Sequence, residues 1–257
     1  MLQQIDGLTV FTFGSFPRDG VVQAISTRLG GVSEPPYDSL NLSLSVPDEP
    51  ERVLENRRRF VGALGADPAR LVSSRQVHGD DVLLVTDDFE SEAPLIAADV
   101  QVTDRPGWLL SLRFADCVPL LMVHPERRAI AAVHAGWRGT LKGAAATAVR
   151  ALQGRFGADP AGLWVGIGPA IGPCCYEVGE EVAEQFADRR RGIVRNGSAR
   201  PHLDLWALNH QAVVAMGVPA EQIEVAELCT RCHAELFFSH RAQGYPAGRF
   251  SAALGLR

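Results

Sequence analysis

Ala98-Asp99-Val100-Gln101-Val102-Thr103-Asp104-Arg105-Pro106-Gly107-Trp108-Leu109-Leu110-Ser111-Leu112-Arg113-Phe114-Ala115-Asp116-Cys117-Val118-Pro119-Leu120-Leu121-Met122-Val123-His124-Pro125-Glu126-Arg127-Arg128-Ala129-Ile130-Ala131-Ala132-Val133 decides the fold class. Four β-rich apolar runs fall inside it: 98–103, 109–114, 119–124 and 130–133. They are too closely spaced to leave room for helices between them. Arg105-Pro106-Gly107 and Pro125-Glu126-Arg127-Arg128 read as hairpin turns. Strands strung together in this way exclude a regular βαβ winding. They predict an α+β (α/β) fold, a single domain over residues 1–257 with mixed β-sheets flanked by helices.

The flanking sequence fits that expectation. Further strands are predicted at Leu8–Phe13, Val21–Ser26, Leu71–Val77, Val82–Val85 and Leu163–Ile167. Helical patterns occupy Glu49–Leu64, Thr140–Phe156, Glu177–Ala187 and Leu205–Met216. The longest irregular stretch, Thr27 to Pro47, is rich in Gly, Ser, Pro and Asn; so long a loop in a compact domain points to function. There is no internal repeat or low-complexity linker.

The chain has 257 residues, 46% apolar and 21% charged, which excludes a disordered polymer. The net charge of −5 gives no general attraction to nucleic acid or anionic lipid. No apolar run reaches the roughly 20 residues of a membrane helix. The start lacks a signal-peptide pattern, so a cytoplasmic location is expected. Of 25 basic residues only Lys142 is a lysine, so the triplets Arg57-Arg58-Arg59 and Arg189-Arg190-Arg191 read as solvated faces. The five cysteines are an odd number in a reducing compartment, and each thiol is core filler, ligand or nucleophile.

Three stretches set metal-capable side chains at predicted strand ends, two of them with glycine close by: Gln76-Val77-His78-Gly79, Ala115-Asp116-Cys117-Val118-Pro119 and Val133-His134-Ala135-Gly136-Trp137-Arg138-Gly139. Cys117 lies 39 residues after His78 and 17 before His134. A zinc finger brings its ligands in close pairs; well-separated ligands suit a catalytic ion with one open position. By spacing alone, structural roles for each residue stay open. Cys229-Thr230-Arg231-Cys232-His233 contains a CxxC, a zinc knuckle or redox pair, but no second CxxC completes it. Cys174-Cys175 is weaker, since neighbouring side chains on an extended chain point apart. The glycines of Gly166–Pro173 let backbone approach a ligand or a strand. His124 and His202 read as structural or exposed, and His240 as a pocket-lining residue.

Taken in order, Ser26-Thr27-Arg28-Leu29-Gly30-Gly31-Val32-Ser33, Asn41-Leu42-Ser43, Gln76-Val77-His78-Gly79, Ala98-Asp99, Ala115-Asp116-Cys117, His134-Ala135-Gly136-Trp137-Arg138-Gly139, Cys175-Tyr176-Glu177-Val178, Asp204-Leu205, Cys229-Thr230 and Phe238-Ser239-His240-Arg241 resemble the multi-copper polyphenol oxidase (laccase) family, also called the YfiH or peptidoglycan-editing-factor family. The resemblance spans about residues 20 to 253. It implies a zinc-dependent purine nucleoside phosphorylase acting on adenosine, inosine and methylthioadenosine, with adenosine deamination as an additional activity. It places metal ligands on His78, Cys117 and His134, and family positions on Arg28, Asn41 and Cys175. Cys232 and His233 match no family motif.

Phosphorolysis needs a cationic cradle for phosphate, and Arg28, Asn41 and Arg138 are its candidates, with Cys175 a further substrate-binding candidate. The catalytic set is then Cys117, His78, His134 and Arg28. Deamination would need a proton relay, for which Asp116 and Glu177 are candidates, because the HxE…PCxxC pattern of zinc deaminases is absent. Rival readings are a copper-dependent polyphenol oxidase, a cysteine hydrolase editing peptidoglycan precursors with Cys117 as nucleophile, and a binding module without catalysis. A multicopper site needs more histidines than the seven present. Expected partners are a purine nucleoside and phosphate, with no nucleic acid or membrane, and a monomer or small homo-oligomer.

Overall fold

A strand that is apolar on both faces must be covered on both. The computed structural model, which describes residues 1–17, 19–90, 95–188, 192–194 and 200–257, meets that demand with four layers. Its strands are β1 (Leu2–Ile5), β2 (Leu8–Phe11), β3 (Val21–Ser26), β4 (Leu71–Val72), β5 (Val82–Leu84), β6 (Val100–Thr103), β7 (Leu109–Phe114), β8 (Val118–His124), β9 (Ala129–Ala135), β10 (Trp164–Ile167), β11 (Ile193–Val194), β12 (His202–Leu203), β13 (Ile223–Val225) and β14 (Phe250–Leu256). The helices are α1 (Pro50–Ala63), α2 (Trp137–Lys142), α3 (Ala144–Phe156), α4 (Glu180–Ala183), α5 (Leu205–Ala215) and α6 (His240–Gln243).

One six-stranded sheet runs β1-β2-β3-β14-β7-β4 and the other β13-β10-β8-β9-β6-β5. Each mixes parallel and antiparallel pairs, as the α+β expectation requires. The strand periodicity of two then sorts side chains among three cores. Leu110, Leu112, Phe114, Leu121, Ile130, Phe250 and Leu254 fill the space between the sheets. Alternate residues of β8 and β9, such as Leu120, Met122, Ala131 and Val133, turn to Ala148, Val149 and Leu152 of α3 and to Leu208 and Val213 of α5. On the opposite side Leu109 and Ala253 meet Phe60 and Val61 of α1.

Several boundaries differ from expectation. The 140–156 helix is two helices hinged at Gly143, whose φ of +89° ends one and opens the other. The pattern at 177–187 yields only α4 and a following 3-10 turn. Arg105-Pro106-Gly107 is no hairpin turn, because β6 and β7 lie in different sheets; Pro125–Arg128 does join the antiparallel pair β8 and β9. The strand at 71–77 stops at Val72. β14, central to its sheet, carries Ala252-Ala253-Leu254-Gly255 in place of β-branched residues. Arg57 is not solvated: half-buried, it donates from Nε to the Leu42 carbonyl at 3.0 Å, and burial holds its pKa below the ordinary value. Arg58 and Arg59 do face solvent, paired with Glu55. Arg189-Arg190-Arg191 lies outside the described residues.

The long loop is pinned by one buried amide on α1. Asn56 donates to Ser33 Oγ and to the carbonyls of Ser39 and Asn41, and it accepts from the Val32 N–H. A helix residue thus fixes loop backbone that would otherwise cost entropy to order. No helix among the described residues is long and apolar enough to cross a membrane.

Candidate metal centre and active-site cavity

The link from β7 to β8, Ala115-Asp116-Cys117, steps from one sheet to the other and delivers Cys117 to the seam. His134 lies on β9, which pairs with β8 through Pro119↔His134 and Val118↔Ala135. His78 arrives from the loop after β4. One donor atom from each of the three lies within 4.8 Å of the other two.

A buried carboxylate organises them. Asp99, fully inaccessible, accepts the backbone N–H groups of Val77, His78 and Gly79 at 3.0, 3.1 and 2.7 Å. Its Oδ1 also lies 2.7 Å from His134 Nδ1. Three converging N–H groups explain why His78 takes a φ of +59°. That region costs a non-glycine residue roughly 1–3 kcal/mol unless its surroundings impose it. Asp116, at φ +90°, is held in turn: Thr230 Oγ1 donates to its Oδ1 at 2.6 Å and the Arg241 N–H to its Oδ2 at 2.7 Å.

The electrostatics follow from this packing. Burial alone would push the Cys117 thiol up, but the charge and hydrogen bonds of His134 and His78 overturn that and hold it down to about 6. Burial disfavours the His134 imidazolium, yet the Cys117 thiolate and the Asp99 carboxylate raise it to about 9. Asp99 stays below the ordinary carboxylate value: burial opposes its charge, and His134 with the N–H groups outweighs burial. A thiolate beside an imidazole whose Nδ1 bonds a carboxylate is a donor set suited to a divalent ion, with a carboxylate orienting its histidine. The three residues can hold a metal ion.

Gly136 makes room for the centre. A Cβ there would lie 2.8 Å from Cys117 Sγ and 3.2 Å from His78 Cδ2. Gly136→Ala is expected to push the sulfur aside and to lower metal affinity about 10- to 100-fold, the scale seen when ligand positioning is disturbed. Metal titration of the folded variant checks it; wild-type affinity would show that the sulfur is free to shift.

The centre opens into a cavity of about 470 Å³, lined also by Ser43, Ser45, Gln76, Arg113, Tyr176, His240, Arg241 and Arg249. A smaller space of about 100 Å³ lies on the side of Trp137, Arg138 and Leu205. His240 lines the larger cavity, as expected. Arg28 lines neither. Its Nε and Nη1 donate to the carbonyls of Asp38 and Ala234, Nη2 sits 3.2 Å from the Asp38 carboxylate, and the group lies over Phe238. Asn41 is buried below the larger cavity. Its Oδ1 accepts the N–H groups of Ser43 and Arg249, so it sets two residues that do reach the cavity. Arg138 stacks over Trp137 with its Cζ 4.3 Å from the ring centroid. Cys175 lines neither space and instead meets Cys232. Of the relay candidates, both Asp116 oxygens are engaged as described, and exposed Glu177 pairs with Arg200.

Residue-level reading of the sequence missed Arg113 and Arg249. Arg113 donates to three neutral acceptors, the Leu42 carbonyl and the hydroxyls of Ser111 and Ser73, and burial holds its pKa well below the ordinary value. Arg249 donates to the carbonyls of Ala247 and Gly248. The available signal was a single charge inside the apolar run Leu109-Leu110-Ser111-Leu112-Arg113-Phe114. Tyr176, whose phenol is raised to about 12 by burial and the Cys117 charge, keeps its proton at the cavity wall.

Residues 22–257 match the family described as multi-copper polyphenol oxidoreductase laccase. The chain is 40% identical to purine nucleoside phosphorylase YlmD of Geobacillus stearothermophilus, covering 95% of this chain and 93% of that one. It is 38% identical to adenosine deaminase RL5 from an unknown prokaryotic organism, over 89% and 91% of the two chains. The crystal structure of YlmD from Geobacillus stearothermophilus superposes with a TM-score of 0.90 over 99% of this chain and 98% of that one, at 37% identity. With the match running through both sheets and the cavity between them, the chain belongs to the multi-copper polyphenol oxidoreductase laccase family.

Proposed function

We propose that this chain is a zinc-dependent purine nucleoside phosphorylase of the cytoplasm, acting on adenosine, inosine and methylthioadenosine. Adenosine deamination is a further activity. The reading is carried by one observation: the His78–Cys117–His134 centre shares its cavity with two half-buried guanidinium groups whose side-chain hydrogen bonds, among the described residues, go to carbonyls and hydroxyls. Guanidinium charge at a cavity wall suits a phosphate oxyanion. The relatives named as phosphorylases and as an adenosine deaminase support the substrate class.

In this reading His78, Cys117 and His134 hold the ion, which supplies Lewis-acid charge to the reacting groups when bound. Zinc would suit the two-imidazole, one-thiolate set that these residues offer. Arg113 and Arg249 hold phosphate beside the sugar and offset charge as it attacks C1′. Ser43 and Ser45 add hydroxyl donors at the same wall. Tyr176 retains its proton and can donate to the departing base or to a ribose hydroxyl. Arg28 and Asn41 act from behind, holding the loop that presents these groups.

Phosphate-dependent release of base from adenosine, inosine and methylthioadenosine by the metal-loaded enzyme tests the activity. Arg249→Ala is expected to raise the phosphate KM about 10- to 100-fold, from loss of a charge-assisted bond of about 1.5–3 kcal/mol. An unchanged phosphate dependence would take Arg249 out of the cradle. A cysteine hydrolase is the second reading, favoured by the depressed Cys117 thiol beside His134; such an enzyme keeps its turnover after chelation.

A further inference from the structure

Four of the five cysteines take no part in the centre described above, and the fold gathers all four. Cys174 and Cys175 follow β10 in the turn at 173–175; Cys229 and Cys232 follow β13. Extended chain would point adjacent cysteines apart, but the N–H groups of Cys175 and Tyr176 both donate to the Gly172 carbonyl, and that turn brings both sulfurs to one side. A parallel bridge between Ala170 and Cys229 sets the two segments in register. All four sulfurs lie within 4.8 Å of one another. Cys232 Sγ is 3.7 Å from Cys174 Sγ and 3.5 Å from Cys175 Sγ.

We propose that Cys174, Cys175, Cys229 and Cys232 form a tetrathiolate site for a zinc-class divalent cation, separate from the His78–Cys117–His134 centre. With Zn–S bonds of about 2.3 Å, the edge of a tetrahedron of sulfurs is about 3.8 Å, close to the separations found. A disulfide would need about 2.05 Å. An iron–sulfur cluster, with bridging sulfides between its irons, needs its thiolates spread more widely than this group allows. The all-sulfur set selects a soft or borderline ion.

Backbone donors already hold one of the four sulfurs. Cys229 Sγ accepts the Gly172 N–H at 3.3 Å and is also approached by the N–H groups of Arg231 and Cys232. These contacts orient the first sulfur of a CxxC as a knuckle does. Cys174 and Cys232 are exposed, which leaves the ion an entry path. Thiols that serve only as core filler are buried. As the ion binds, the thiols release their protons to solvent and the dication offsets the gathered negative charge. The site would fasten two walls of the cavity together: Tyr176 follows Cys175 directly, and Thr230, inside the CxxC, donates to Asp116 beside Cys117.

Metal content resolves the two sites without any assay of turnover. The full-length His78→Ala chain, purified under reducing conditions with zinc supplied, is expected to keep about one equivalent of zinc. The His78→Ala/Cys232→Ser chain is expected to keep none. Cobalt added to metal-free His78→Ala should give the intense thiolate charge-transfer and visible bands of a tetrahedral sulfur site, and Cys232→Ser should abolish them. Wild type, which needs no variant to fold, should hold about two equivalents. No zinc and no cobalt bands in His78→Ala, equal metal in the two variants, or a disulfide joining Cys232 to Cys174 or Cys175 in reduced preparations would each overturn the site.

Discussion

Cys117→Ser is expected to lower kcat/KM for nucleoside phosphorolysis on the order of a thousandfold and to empty the His78–Cys117–His134 centre of metal, while the chain stays folded. The electrostatic contribution of a catalytic ion is several kcal/mol, and each 1.4 kcal/mol is a factor of ten. Serine has nearly the shape of cysteine, so the seam between the two sheets keeps its packing. Its hydroxyl does not share the property that makes Cys117 a ligand, a thiol held down to about 6 by two imidazoles. Chelation of the wild-type enzyme should reproduce the loss, and zinc should restore wild type but not the variant. Turnover that survives in metal-free wild type and dies in Cys117→Ser would instead identify the sulfur as a nucleophile, the cysteine-hydrolase reading.

The trio was legible because each member sits at or near a strand end, within two residues of a glycine or of a residue that turns the backbone: Gly79 for His78, Asp116 for Cys117 and Gly136 for His134. Strand ends hold side chains in place, so three such motifs in one chain carry chemical meaning even when their partners are distant in sequence. The layers were legible for a similar reason: the apolar runs at β8 and β9 have no polar face. What escaped was set by contacts between distant segments. Nothing local to Phe250–Leu256 announces a central strand; it is one because β3 and β7 accept it on both edges. Arg113 is a lone charge in an apolar run, and only the three acceptors around it explain its place. Arg28 and Asn41 were recognisable as important, yet their neighbours, not their residue types, assign them to the loop behind the cavity. The cysteines of the 173–175 turn reverse the expectation for extended chain because a carbonyl at Gly172 takes two N–H groups.

Asp99→Asn is the substitution expected to test how the centre is held, and its effect should appear in stability as well as in metal binding. Each carboxylate oxygen has two partners: Oδ2 takes the Val77 and Gly79 N–H groups, and Oδ1 takes the His78 N–H and His134 Nδ1. An amide has one oxygen. Whichever way it turns, its NH₂ faces either two backbone donors or one donor and the imidazole. The buried charge partner of His134 also disappears. Breaking a buried charged pair by removing one partner costs about 3–5 kcal/mol. At about 2–4 °C per kcal/mol for a chain of this size, Tm should fall by roughly 10 °C. Metal affinity should fall about 10- to 100-fold, because His134 loses the acceptor that sets its ring and His78 loses the anchor of its +59° backbone. The two losses share one cause, so they should move together: bound metal recovers part of the lost stability by mass action, and the recovery should be smaller in Asp99→Asn than in wild type. A Tm within a degree or two of wild type, with metal affinity unchanged, would mean that the loop at His78 and the ring of His134 are held by their own packing and that Asp99 is a bystander.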